Sequence, residues 1–310
     1  MLTDLYISGY KSLYNVDILL EPLTVLIGPN GSGKSSVCEA IKLSDTVAED
    51  GQENGEITFD YDALMPYKSK ITEDSLDSIF WQGNTEQGIT CGHSGAKLSV
   101  KIYNFVPTDI MQESSTDMSL TGHGIANSLT KILFDNRDRF IELEQRLVDL
   151  VPNIARIKLD QNNQRINTLR LVDRYSGYEI PSQNISDGTL RLLAFLVALY
   201  DVEQPDLICF EEPENGVHPW LLNKIMQLLA QVSTAGISGK PTQIIITTHS
   251  PVLLNYVQPE QIRAVELNES GATQIRSLPT DTKRFQAALD AYDGELGELW
   301  FTNIFGGNPD

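Results

Sequence analysis

Apolar and polar positions change period several times along the chain, and the changes mark its elements. Asp4 to Leu13 and Val16 to Leu20 alternate, predicting two short antiparallel strands. Glu21-Pro22 turns into Leu23-Thr24-Val25-Leu26-Ile27, a short apolar, β-branched stretch of the kind that forms a buried strand. Val37, Ala40 and Ile41 then recur at helical spacing, so a helix begins near Lys34. From about 44 to 75 the chain is acidic and glycine-containing, which predicts a solvated loop. Leu76 to Gln82 reads as a short helix closed by Gly83. Leu98, Val100 and Ile102 alternate with Lys97, Ser99 and Lys101, as in a strand with one exposed face.

Residues 105–124 are rich in Ser, Thr, Asp and Met and show no period. Residues 126–151 read as helix, with Leu129, Ile132, Leu133, Phe140, Leu143, Leu147 and Leu150 between charged positions. Strand-like alternation returns over 155–180. The last third alternates strand and helix: Asp206 to Phe210, Trp220 to Val232, Gln243 to Thr247. That rhythm predicts an α/β fold around a mostly parallel sheet.

Composition narrows the class. The chain has 310 residues, of which 41% are hydrophobic, enough for a sizeable core. No apolar run approaches the length of a membrane span. Met1-Leu2-Thr3-Asp4 lacks the charged and apolar regions of a secretory signal. Three scattered cysteines (Cys38, Cys91, Cys209) make neither a disulfide framework nor a zinc site, which points to a reducing cytoplasm. The formal net charge of −19 repels phosphates at long range. Nucleic-acid binding by this chain alone is therefore not expected.

Candidate chemistry starts at Gly28-Pro29-Asn30-Gly31-Ser32-Gly33-Lys34-Ser35-Ser36, which fits G-x-x-x-x-G-K-[ST] between strand and helix. Glycines let backbone amides turn inward around phosphates, and the helix N-terminus adds partial positive charge. Lys34 would reach the β/γ-phosphates and the Ser35 hydroxyl would ligate Mg²⁺. The strand at 207–210 ends in Glu211-Glu212-Pro213-Glu214-Asn215, acids placed where such sheets bind ligands. Glu211 could hold Mg²⁺ through water and Glu212 could accept the proton of an attacking water. Without a ligand the stretch is an acidic surface turn. Ser186 or Asp187 can cap the helix that follows, and a helix start is also a phosphate site. Thr247-Thr248-His249-Ser250-Pro251 closes the 244–246 strand, and its imidazole could touch a γ-phosphate or serve structure alone.

The four pieces together, in this order, resemble the ABC-type ATPase heads of the RecF/SMC/OLD-like branch. Ile7-Ser8-Gly9-Tyr10-Lys11-Ser12-Leu13 resembles that branch's opening strand. Glu212 to Pro219 resembles its Walker B and D-loop segment, and Thr248-His249-Ser250-Pro251 its switch-histidine segment. The resemblance covers about 1–45 and 180–255. It implies an α/β P-loop NTPase of ABC type, with a mostly parallel central sheet, an N-terminal antiparallel β-subdomain and a helical signature subdomain. It also implies one domain over 1–310, with lobes at 1–104, 105–200 and 201–310.

Carried over by position, Asn30, Gly31, Ser32, Gly33, Lys34, Ser35 and Ser36 bind ATP. Glu211 is the Walker B acid and Glu212 the general base. Ser186 and Gly188 contact a γ-phosphate on the opposite protomer, Asn215 lies in the D-loop, His249 is the switch histidine, and Gln82 is the metal-contacting Q-loop glutamine. ATP and Mg²⁺ are the implied ligands, and a homodimer sandwiching ATP, with room for higher assembly, is the implied state.

This sequence departs from the pattern at Glu211, where Asp is usual, and in reading Ser-Asp-Gly at the signature. The long coiled coil of SMC proteins is missing, and too few residues follow His249 for the nuclease domain of OLD proteins. The analogy extends to a separately encoded effector, a nuclease, in bacterial phage defence or genome maintenance. The alternative is an ATP-dependent DNA-end or DNA-structure binder of repair. Leu296, Leu299, Trp300 and Phe301 cluster near the end of the sequence. They either anchor a partner or fold back on the core.

Overall fold

The computed structural model describes residues 1–7, 10–49, 99–237 and 239–306, together with the backbone of four strands within 57–92. It divides into two compact units. The first holds 1–102, 205–209 and 242–310, the second 103–204 and 210–241.

The first unit opens with β1 (Asp4–Ile7) and β2 (Val16–Leu19), antiparallel, with Asp4 opposite Leu19. Then come β3 (Leu23–Ile27) and α1 (Lys34–Glu49). β4 (Ile57–Phe59), β5 (Ser69–Ser75), β6 (Ser78–Gly83) and β7 (Ile89–Gly92) join β1 and β2 in one sheet, ordered β2-β1-β7-β6-β5-β4. β8 (Val100–Tyr103) leads into the second unit.

Two expectations fail in this stretch. Of the helix expected over Leu76–Gln82, residues 78–82 belong to β6, whose Ile79-Phe80-Trp81 are β-branched or aromatic and find partners in β5 and β7, and the first two positions lie outside the described residues. The loop expected over 44–75 contains the end of α1 as well as β4 and β5. Local acidity did not reveal that neighbouring strands supply a ladder.

The second unit starts with α2 (Pro107–Ile110), α3 (Ile125–Asp135) and α4 (Arg137–Leu150). The single helix expected over 126–151 is thus two. Asn136 is extended (φ −152°), and its side chain accepts a hydrogen bond from the Arg139 amide, ending one helix and capping the next. Hydroxyls take over where 105–124 lacks a period: the Ser128 Oγ accepts from the Met118 amide at 2.7 Å. β9 (Ile154–Gln161), β10 (Asn167–Asp173) and β11 (Glu179–Pro181) form an antiparallel sheet. α5 (Asp187–Tyr200) buries every residue from Leu192 to Tyr200, each large aliphatic one contributing about 1.5–3 kcal/mol.

β12 (Leu207–Glu211) begins in the first unit and delivers Phe210 and Glu211 to the second, where α6 (Pro219–Thr234) follows. Back in the first unit come β13 (Gln243–Thr248), α7 (Pro251–Leu254), β14 (Ile262–Leu267), β15 (Thr273–Ser277), α8 (Lys283–Ala291) and α9 (Leu296–Phe301). The central sheet runs β15-β14-β3-β13-β12-β8, with β14, β3 and β13 parallel. β3 is buried along its whole length between β14 and β13, as its apolar run predicted. Val37, Cys38, Ala40 and Ile41 of α1 pack in one core with Leu5, Ile18, Leu26, Ile245 and Val265.

The α9 tail folds back. Leu296, Leu299 and Trp300 are buried, while Phe301 stays exposed. A Cβ on Gly297 would lie 2.5 Å from the Pro251 carbonyl oxygen, so only glycine lets α9 approach α7 this closely. The Gly297 amide donates to Asn255 Oδ1 at 2.7 Å.

Candidate nucleotide site

The sequence-predicted residues divide between the units. In the first, β3 ends at Ile27 and the chain loops through Gly28–Gly33 into α1. Gly31 and Gly33 have φ of +77° and +106°, values that side chains resist. The space around the loop's glycines differs. A Cβ on Gly31 would meet nothing within 4 Å. One on Gly28 would lie 1.9 Å from the Val265 carbonyl oxygen, and one on Gly33 2.3 Å from Thr273 Oγ1. The loop is thus open at its tip and tightly backed at both ends by β14 and β15.

Lys34 is buried, and its ammonium donates to the Gly28 and Pro29 carbonyls, both at 2.8 Å. A cation curled over the loop's own carbonyls is placed to exchange them for phosphate oxygens. Ser35 is exposed in the first turn of α1, and Asn30 and Gly31 are exposed at the tip. Ser32 Oγ is buried with no hydrogen-bond partner among the described residues. β13 runs beside β3 with Thr248 opposite Ile27, so the exposed His249 follows at the level where the loop begins.

In the second unit, Glu211 is half-buried at the end of β12, and its Oε2 accepts from Asn104 Nδ2 at 2.9 Å. Nothing in the sequence singled out Asn104, which lies far from Glu211 along the chain. Glu212 has φ +47°, a left-handed backbone that costs a non-glycine residue about 1–3 kcal/mol. A turn holds it there. The Asn215 amide donates to the Glu212 carbonyl at 3.0 Å, and Asn215 Nδ2 to Glu212 Oε2 at 2.6 Å. Asn215, expected at a nucleotide, therefore orients Glu212 in this state. Behind the acids Phe210 stacks with Tyr103 and packs against Phe195. Burial, and secondarily the Asp201 carboxylate, pushes the Tyr103 phenol up and keeps it neutral.

Ser186, rather than Asp187, is the N-cap of α5: its Oγ accepts from the Thr189 amide at 3.4 Å. It remains exposed at the helix start. Gly188 has a second reason to be glycine. Its Cβ would lie 2.2 Å from the Gly216 carbonyl oxygen, in the turn that carries Glu212 and Asn215. A cleft beside that turn is lined by Arg191, Phe195, Glu211, Glu212 and Val217. Gln82 stands on β6 opposite Lys70 and lies outside the described residues as regards its side chain.

The site residues fit a phosphate ligand: a glycine loop backed on both sides, a lysine over its carbonyls and an exposed serine at the helix start. Ser35 carries a hydroxyl oxygen of the kind that would hold Mg²⁺ beside the loop.

Among the described residues no helix is long and apolar enough to cross a membrane. Residues 93–255 match a family model described as "AAA domain, putative AbiEii toxin, Type IV TA system", and residues 1–75 match one described as "AAA ATPase domain". The chain is 22% identical to an OLD nuclease of Thermus scotoductus over 94% of its own length, and spans 66% of that relative. In three dimensions it is similar to an SMC head bound to the C-winged helix domain of ScpA (TM-score 0.55, 16% identity, 92% of this chain and 99% of that one). It is likewise similar to an SMC head with an extended coiled coil bound to the C-terminal domain of ScpA from Pyrococcus furiosus (TM-score 0.56, 13% identity, 94% of this chain and 99% of that one).

Proposed function

Since the chain belongs to the family described as "AAA domain, putative AbiEii toxin, Type IV TA system" and is an ABC-type ATPase head of the RecF/SMC/OLD branch, we propose that it is an ATP-driven switch governing an effector. Two heads close on ATP, the glycine loop of one facing Ser186 and Gly188 of the other, and hydrolysis parts them. Lys34 and the loop amides bind the phosphates, and His249 contacts the γ-phosphate. Ser35 and Glu211, with Gln82 as a further ligand, hold Mg²⁺, which supplies positive charge to the phosphate oxygens. Glu212 accepts the proton of the attacking water. The effector is read as a nuclease on another chain, and the relation to an OLD nuclease supports the nuclease part of that reading.

The observation that carries the reading is the end of β12. An apolar strand leads to two adjacent acids, the second strained into left-handed backbone with Asn215 on its carboxylate. Such strain persists where surrounding structure demands a particular side-chain position.

Glu212→Gln tests it. The variant should bind ATP, sediment at twice the monomer mass with ATP, and turn over about 10²–10⁴-fold more slowly than wild type. Hydrolysis at the wild-type rate would remove Glu212 as base, and a monomer under saturating ATP would remove the sandwich.

A further inference from the structure

Three segments meet behind the glycine loop at one buried threonine. Thr273, the first residue of β15, is 2% exposed. Its Oγ1 lies 2.8 Å from Ser12 Oγ and 2.9 Å from the Ser32 carbonyl oxygen, and its amide donates to the Ser12 carbonyl at 2.7 Å. A hydroxyl has one proton. Thr273 Oγ1 is the donor toward both Ser12 Oγ and the Ser32 carbonyl, so its one proton is shared between two acceptors. Ser12 and the glycine loop together hold the Thr273 hydroxyl in place.

The Ser32 carbonyl and the Gly33 amide belong to one planar trans peptide and point in opposite directions. Fixing the carbonyl toward Thr273 aims the Gly33 N–H away from it, toward the open side of the loop. Gly33 makes this contact feasible, because a Cβ there would lie 2.3 Å from Thr273 Oγ1. The glycine and the threonine are a matched pair. Ser32 cannot replace the contact, since its own Oγ is buried without a partner among the described residues.

We infer that Thr273 is a positioning residue for the nucleotide: its hydroxyl, oriented by Ser12, sets the Ser32–Gly33 peptide so that the loop meets ATP already arranged. The inference rests on the nucleotide reading of the loop and adds to it a residue more than two hundred positions away. A preset loop strengthens binding of ground state and transition state alike, so its loss raises KM and spares kcat.

The experiment compares wild type, Thr273→Ser, Thr273→Val and Ser12→Ala as full-length chains. ATP KM and kcat are measured alongside the melting temperature without nucleotide. Thr273→Val should raise KM about tenfold, the upper end for one neutral hydrogen bond, with kcat within about twofold. Thr273→Ser, which keeps the hydroxyl, should return KM to near the wild-type value. Ser12→Ala should raise KM by a smaller factor, roughly threefold, and carries the test if Thr273→Val does not fold. A folded Thr273→Val with wild-type KM overturns the inference. So does a Thr273→Ser as impaired as Thr273→Val, a fall in kcat at unchanged KM, or an unaffected Ser12→Ala. A wild type that neither binds nor hydrolyses ATP overturns the functional reading and the inference together, whereas the other failures leave the functional reading standing.

Discussion

Replacing Gly188 by Ala puts one methyl group into the contact between the first turn of α5 and the turn that follows β12. Two effects compete. Alanine favours the helix by up to about 1 kcal/mol, and less in a first turn than in a helix interior. Against this, the new Cβ would lie 2.2 Å from the Gly216 carbonyl oxygen, about 1 Å inside the closest ordinary C···O approach. The obstacle is backbone, which cannot rotate aside as a side chain can. Overpacking of this kind costs about 1–3 kcal/mol, so the clash wins, with a net loss near 1 kcal/mol.

Gly188→Ala should therefore melt about 1–2 °C below wild type without nucleotide. The displaced Gly216 drags Asn215 and Glu212 with it. A shift of about 1 Å at a catalytic group can cost on the order of 100-fold, and ATPase activity should fall by about that factor. Differential scanning calorimetry on the free protein separates this packing role from a direct phosphate contact, which would leave the melting temperature unchanged. A variant melting at or above wild type with full ATPase activity would refute both the packing and its link to Glu212.

Trp300→Ala should cost about 3–5 kcal/mol in thermal unfolding, whereas Trp300→Phe, which removes an indole N–H with no partner among the described residues, should cost under about 1.5 kcal/mol. An unchanged melting temperature in Trp300→Ala would return the tail to a role in binding a partner. On the β9–β11 sheet, the Lys158 ammonium at 2.7 Å holds the Glu179 carboxyl below its usual range, and Glu179 in turn raises Lys158. The Glu179 contribution is present above about pH 4.3 and is lost as pH falls through the folded pKa. The Lys158 contribution is full below about pH 10.4 and is lost as pH rises through its folded pKa. The melting-temperature gap between wild type and Lys158→Met should therefore be widest near neutrality and narrow toward pH 3, and an equal gap at both pH values would rule the pair out as its cause.

Much of the site was legible because its signals are local. β3, the glycine loop and the start of α1 occupy adjacent positions, and period, glycine spacing and lysine all point the same way. The Ser186 cap, α6 and β13 were readable for the same reason: each needs only its own window. What sequence hid depends on distant partners. Ile79-Phe80-Trp81 is short enough to suit a helix or a strand, and only β5 and β7 decide for strand. Asn136 looked like one polar position in a long helix until its backbone extended and its side chain capped the next. Thr273 and Asn104 carry no motif. Their meaning comes from Ser32 and Glu211, which the fold brings to them. The tail was ambiguous because Leu296, Leu299 and Trp300 suit an interface or a core equally, and the bare surface of Gly297 against Pro251 settles for core.

The position of β3 has a consequence for the order in which the protein is made. Leu23 pairs with Ile244 and Val25 with Ile262, and the Leu2 amide is held by the side chain of Gln243, 241 positions away. A nascent chain that has emerged only as far as α6 carries a strand of mostly apolar residues with both edges unpaired and a glycine loop with neither Val265 nor Thr273 behind it. Such edges invite pairing with other chains, so this stretch needs shelter on the ribosome for most of translation. Domains whose contacts are this distant in sequence also fold slowly. The glycine loop is accordingly among the last features to mature. A truncated product would hold the whole glycine-lysine motif and still lack the walls that give the loop its shape, so the motif would be present without its geometry.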